Sequence, residues 1–216
     1  MGNLILVRHG RTVLNTNDAH ERLRGWLDVP LDEQGLREAT ETAQAVAQYP
    51  ISLIFASDLV RARQTATAIV AATGAPIFST HNLRPWNVGS LAGQRVSEIL
   101  PILQRLEHDP SLPAPDGESF LAFYDRYFVA LQELMEIAHR VSHNVVVVTH
   151  VRNLLATPTV LFGGDKSRIP VTGGPSTGSL TWVERRGSRW SLRVESDAPS
   201  LREFVASAIA PSPVAG

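Results

Sequence analysis

The 216-residue chain has no cysteine, which excludes disulfides, thiolate metal sites and cysteine nucleophiles. It also lacks excess charge of either sign. The net charge is −1 at pH 7, so a basic surface for nucleic acid is not indicated, and any affinity for phosphate must come from a local cluster of arginines. Long apolar runs are missing too. The N-terminal MGNLILVRHG carries an apolar stretch of about five residues, too short for a signal peptide or a membrane span. Gly2 invites a myristoylation reading, but the position that requires Ser or Thr is Leu6. The chain is therefore read as cytoplasmic, with no nucleic-acid and no membrane partner. No G-x-G-x-x-G follows the first apolar run, so a dinucleotide-binding turn is excluded, and there is no internal repeat. What remains is ordinary globular composition, 44% hydrophobic and 19% charged, enough for a full core. Residues 1–208 read as one domain, and the small, Pro-containing 209–216 as a flexible tail.

Three short apolar runs have strand character: Leu4–Val7, Ile51–Ala56 and Val145–Val148. The last is four valines without a polar alternate, which predicts a strand buried on both faces. Between them lie helical stretches. Asp32 to Gln48 opens on a capping Asp, Asp58 to Ala72 stops before Gly74, and Ser119 to Arg140 is apolar on one side. Strands alternating with helices predict a three-layer α/β/α sandwich, its mainly parallel sheet covered by helices on both faces. Ser179–Glu184 and Arg189–Val194 flank Arg185–Ser188 and read as an edge hairpin. Polar or Pro/Gly-rich loops fall at 10–31, 108–118 and 163–178, and all three are candidates to border one site.

Each apolar run is followed at once by chemically able residues: Arg8-His9-Gly10, Ser57-Asp58 and Thr149-His150. Ligands of open α/β sheets bind beyond the carboxyl ends of the strands, so His9, His150 and the helix start carrying Arg61 are expected on one rim. A phosphate dianion needs several fixed donors, and arginine supplies a charged planar fork. A neutral imidazole is a competent nucleophile toward phosphorus, with arginines and a second histidine to stabilise charge on the equatorial oxygens.

The segments RHGRTVLN (8–15), RGWLDVPLDEQG (24–35), SDLVRARQTA (57–66), VVVVTH (145–150) and, more weakly, GESF (117–120) resemble the histidine phosphatase superfamily, the phosphoglycerate mutase-like family, in the family's order along nearly the whole chain. The resemblance implies a phosphoglycerate mutase-like fold and a reaction through a phosphohistidine on His9. Arg8, Arg61 and His150 would surround the phosphoryl group as catalytic residues, and Thr12, Asn15 and Gly25 would bind substrate. It implies no metal and no cofactor. The partner is a small phosphorylated substrate, with a homodimer as the candidate assembly.

The chain departs from the family pattern at three places. Arg11 replaces the acid of the first motif. Pro85 stands where L-x-E-x-x-x-G places the general acid, in Leu83-Arg84-Pro85-Trp86-Asn87-Val88-Gly89. Val151 stands where another branch has an Asp after the second His. Glu118, Asp116 and Glu98 are the replacement candidates for the proton donor. A good leaving group, such as a phenol, an acyl phosphate or a phosphohistidine, would make a donor unnecessary. The readings carried forward are a phosphomonoester phosphatase, a phosphoglycerate-type mutase, and a non-catalytic phosphate binder. Among the rest, Arg63 reads as a surface arginine, and His139 and His143 as histidines at a helix C-terminus rather than a metal pair. Trp26 and Trp86 read as core aromatics. GGDKS (163–167) lacks the context of a phosphate loop.

Overall fold

Alternate strand residues feed two separate cores. In the computed structural model, which describes residues 2–15, 21–170, 173–187 and 189–195, Leu4, Leu6, Val145 and Val147 enter one core, and Ile5, Val7, Val146 and Val148 the other. A sheet that is apolar on both faces must be covered on both. Helices α1 (Glu33–Val46) and α2 (Val60–Thr73) cover one face. Helices α3 (Val96–His108), α4 (Phe120–Arg140) and α5 (Val151–Phe162) lie toward the other. The result is the expected three-layer arrangement.

The sheet has the order β3 (Ile77–Thr80), β2 (Ile51–Ser57), β4 (Asn144–Thr149), β1 (Leu4–Arg8), β5 (Leu180–Arg186) and β6 (Arg189–Glu195). The first four strands are parallel, and β5 and β6 add the expected antiparallel hairpin at one edge. Helix starts follow their local chemistry. The Asp32 carboxylate accepts from Gly35 N–H at 2.8 Å, and Ser119 Oγ accepts from Ala122 N–H at 3.1 Å. Helix α2 begins two residues later than the Asp58 start predicts. Asp58 is instead bound to Arg84, and the free Val60 N–H is taken by the Asp28 carboxylate at 2.6 Å. The helix ends on Gly74 at φ 70°, a conformation that favours glycine.

Strand β3 and helices α3 and α5 were not read from the sequence. Ile77 and Phe78 of β3 are exposed, so that strand has no apolar alternation to reveal it. Pro101 and Pro158 lie inside α3 and α5 and mask them as loops. No described helix is long and apolar enough to cross a membrane. The tail 209–216, and parts of the loops at 10–31 and 163–178, lie outside the described residues.

Candidate active site

Strand register brings the two histidines together. In the parallel pair β1/β4, Arg8 is opposite Thr149, so the next residue of each strand, His9 and His150, emerges at the same level. Their rings lie edge to face with centroids 5.0 Å apart. Gly10 follows because a Cβ there would sit 2.4 Å from the Gly35 carbonyl oxygen, where α1 closes on β1. Thr65 Oγ1 accepts from Gly10 N–H at 3.0 Å and donates to the Arg61 carbonyl at 3.0 Å, tying the end of β1 to α2. Thr65 is a positioning residue that the motif SDLVRARQTA contains but does not single out.

His9 Nδ1 lies 2.7 Å from the Gly10 carbonyl oxygen. That oxygen only accepts, so Nδ1 carries the proton and the lone pair is on Nε2. His9 and His150 are buried, at 3% and 2% exposure. Burial, and then the positive charge of Arg61, hold both rings well below the usual histidine pKa, so both are neutral at pH 7. Neither nitrogen of His150 has a protein partner. Uncompensated buried polar atoms cost about 1–3 kcal/mol each, and here they face a cleft that His9, Arg61, Gly25, Pro85 and Trp86 also line.

Arg61 is 1% exposed. Its guanidinium donates to the Leu27 carbonyl at 2.6 Å and the Gly25 carbonyl at 2.9 Å, while Nε is without a protein partner. Arg8 is likewise buried, bound through one terminal nitrogen to the Pro175 carbonyl, with Nε unpartnered. Burial is the main cause that pushes both guanidiniums down to about 9, and the charge of Arg24 is next. They remain cationic at neutral pH.

The other implied positions are less uniform. Gly25 lines the cleft at φ 48°. Thr12 and Asn15 are buried, with Thr12 N–H and Oγ1 both donating to Asn15 Oδ1, which leaves Asn15 Nδ2 without a protein partner. Asn15 borders a neighbouring polar cleft together with Arg8 and Arg11, not the one around His9. The extra charge of Arg11 is balanced there, since its Nε donates to Asp32 at 3.0 Å.

None of the three proton-donor candidates lines the His9 cleft. Glu118 accepts from Arg126 at 2.7 Å and from Asn87 N–H at 2.8 Å, while its carbonyl accepts from Trp86 Nε1 at 2.8 Å. It is a brace for the 85–87 segment, a role its position at a helix start does not reveal. Asp116 is exposed in a turn at φ 56°. Glu98 is 61% exposed beside Arg95. His139 and His143 do not form a pair either: α4 ends at Arg140, and His139 Nδ1 is engaged by Arg185 at 2.7 Å.

Two arginines that the sequence reading passed over also border the cleft: Arg24, the first residue of RGWLDVPLDEQG, and Arg152, two positions past His150. Pro85 and Val151 are wall residues there.

A mainly parallel sheet with a buried, neutral histidine pair and arginines beyond its carboxyl edge defines an α/β protein with a cationic rim cleft. The family follows from comparison. The model of the histidine phosphatase superfamily (branch 1) matches residues 4–198, and the chain belongs to that superfamily. It is 32% identical to the probable phosphoglycerate mutase GpmB of Yersinia pestis, over 94% of this chain and 99% of that protein. It is 30% identical to a 2,3-bisphosphoglycerate-dependent phosphoglycerate mutase of Methanosarcina mazei, over 72% and 78%. Among solved structures, mycobacterial hydrolase 1 superposes with a TM-score of 0.78 at 27% identity, over 91% of this chain and 99% of that one. Mycobacterial glucosyl-3-phosphoglycerate phosphatase gives 0.75 at 25% identity, over 91% and 98%.

Proposed function

We propose that the protein is a phosphatase that removes a phosphoryl group through a phosphohistidine on His9, without a metal. The observation that carries this reading is the fixed tautomer of a buried neutral His9. Its Nδ1–H is held by Gly10, and its Nε2 lone pair is left for the cleft that Arg61 and His150 share. In the first step an Nε2–P bond forms as the P–O bond to the leaving group breaks, and the electron pair departs on oxygen. Arg8, Arg61 and His150 are the donors for the equatorial oxygens. In the second step water attacks phosphorus and the N–P electron pair returns to Nε2. Because Nδ1 keeps its proton throughout, the ring leaves as neutral imidazole. The proton lost by water goes with the released phosphate to solvent.

Hydrolysis is favoured over mutase action because Pro85 places no proton donor in the cleft. A mutase must protonate the oxygen that loses the phosphoryl group and deprotonate a different hydroxyl that receives it, at every turnover. The test is hydrolysis of an aryl phosphate radiolabelled at phosphorus, in EDTA, with an alkaline quench, in which a phosphohistidine survives, to trap the labelled phosphoenzyme. His9→Ala should abolish both turnover and label. Full activity in His9→Ala would overturn the mechanism, and interconversion of 2- and 3-phosphoglycerate would establish the mutase instead.

A further inference from the structure

A second cleft adjoins the first. It is lined by Arg8, Glu21, Arg22, Arg24, Arg152 and Gly174, among others, and shares Leu23, Arg24, Val151 and Arg152 with the His9 cleft. Arg24 and Arg152 therefore stand on the boundary between the two. Arg24 pairs with Glu21 at the cleft wall, and both arginines are otherwise held by main-chain carbonyls. Arg152 donates to the Pro170 carbonyl at 2.8 Å, and Arg24 to the Leu14 carbonyl at 2.9 Å, with Glu21 at 3.4 Å. Among the described residues lining the two clefts, Glu21 is the one carboxylate against five arginines. Charge from Arg24 is the largest neighbouring influence lowering Arg8, Arg61 and Arg152. Mutual repulsion of this kind is relieved by an anion. One transferred phosphoryl group occupies the donors around His9, and the second cleft carries positive charge beyond what that group uses.

The leaving group supplies the second line of argument. Alkoxides are about as basic as hydroxide, and they need a proton that neither Pro85 nor Val151 can give. A departing phosphate monoester has a second pKa of about 6 and needs none at neutral pH. Its charge does need fixed cations.

We infer that the substrate is a diphosphate, whose terminal phosphoryl group goes to His9 and whose remaining phosphate is held by Arg24 and Arg152 in the second cleft. This rests on the phosphohistidine reading above and names its substrate class. The Nε2–P bond forms while the bond from phosphorus to the bridging oxygen breaks. The electron pair stays on that oxygen, and the leaving phosphate is released as a dianion without a proton.

The test compares methyl diphosphate, methyl phosphate and an aryl phosphate in EDTA, in the wild type and in Arg24→Gln and Arg152→Gln. The wild type should turn over methyl diphosphate at least about 10²-fold faster in kcat/KM than methyl phosphate, the scale of the proton donor that is missing. Each variant should lose about 10–100-fold on the diphosphate, the value of a charge-assisted contact. The loss on the aryl phosphate should be at least about tenfold smaller. In His9→Ala, calorimetry should show inorganic pyrophosphate binding more tightly than orthophosphate, and Arg24→Gln should erase the difference. His9-dependent aryl phosphate turnover without diphosphate preference, with equal losses on both substrates, would overturn this inference and leave the phosphohistidine reading intact. Absence of His9-dependent turnover on all three would overturn that reading itself.

Discussion

Replacing Pro85 by Glu should install the proton donor that the cleft lacks. The backbone tolerates the change. The Pro85 carbonyl accepts from Trp26 Nε1 at 2.8 Å and from Arg126 at 3.2 Å, and both bonds involve the main chain, so they survive. Proline donates no hydrogen bond, so none is lost. Removing its ring restores freedom to the unfolded chain and costs about 0.4–1 kcal/mol of stability. General acid catalysis is typically worth about 10²–10⁴-fold, equivalent to about 2.7–5.4 kcal/mol. The arginines that share the cleft with Pro85, Arg24, Arg61 and Arg152, favour the ionised carboxylate and oppose the protonated form that must donate. A bound phosphate dianion offsets part of that. The gain should therefore fall at the low end, about 10²-fold in kcat/KM on methyl phosphate or another alkyl ester. An aryl phosphate, whose phenolate departs without help, should change less than about threefold. Steady-state assays of both esters in EDTA, with circular dichroism to confirm folding, decide it. An equal rise on both esters, or no rise in a folded variant, would refute the argument that the missing proton donor limits alkyl esters.

Two further outcomes follow from the same geometry. His9 and His150 are held neutral in the folded state, with pKa values well below 6.5, so the unfolded chain binds more protons. Stability should then fall as pH drops below 6.5, with a slope of up to about 1.4 kcal/mol per pH unit for each ring. Urea midpoints at pH 7.5, 6.5 and 5.5 measure this, and His150→Gln should remove its share. Gly25→Ala would force a side chain onto a φ of 48° and place its Cβ 2.5 Å from Val88 Cγ2, moving the carbonyl that holds Arg61. About a tenfold loss in kcat/KM is expected, seen mainly as a raised KM, and an unchanged KM would show that this carbonyl does not set the position of Arg61.

Much of the fold was legible because two-sided burial writes itself into the sequence as continuous apolar runs. Val145–Val148 is fully buried, and four adjacent β-branched residues without a polar alternate point to an interior strand. The same logic fails at the sheet edge. Strand β3 has exposed Ile77 and Phe78 and, among the described residues, pairs with β2 alone, so its pattern carries no signature of two cores. Helix α5 fails for the opposite reason. The run Asn153–Val160, eight of its twelve residues, is buried on every side, Asn153, Thr157 and Pro158 included, and a helix buried all round shows no amphipathic stripe.

The site was legible where chemistry is tied to strand ends and illegible where it is tied to loops. His9 and His150 could be placed on one rim in advance because each directly follows a buried strand, and the β1/β4 register then brings them together. Arg24 offered no such signal, since it lies in a polar loop where a charged residue is ordinary. Its importance comes from its neighbours: it sits among Arg8, Arg61 and Arg152, which are distant in sequence and converge only when β1, α2 and α5 meet at one rim. The same convergence bears on the missing proton donor. A cleft walled by this many guanidiniums holds a carboxylate ionised, whereas it stabilises a departing phosphate directly. The proline at position 85 and the arginines at 24 and 152 both fit the inferred substrate, whose leaving group is itself an anion.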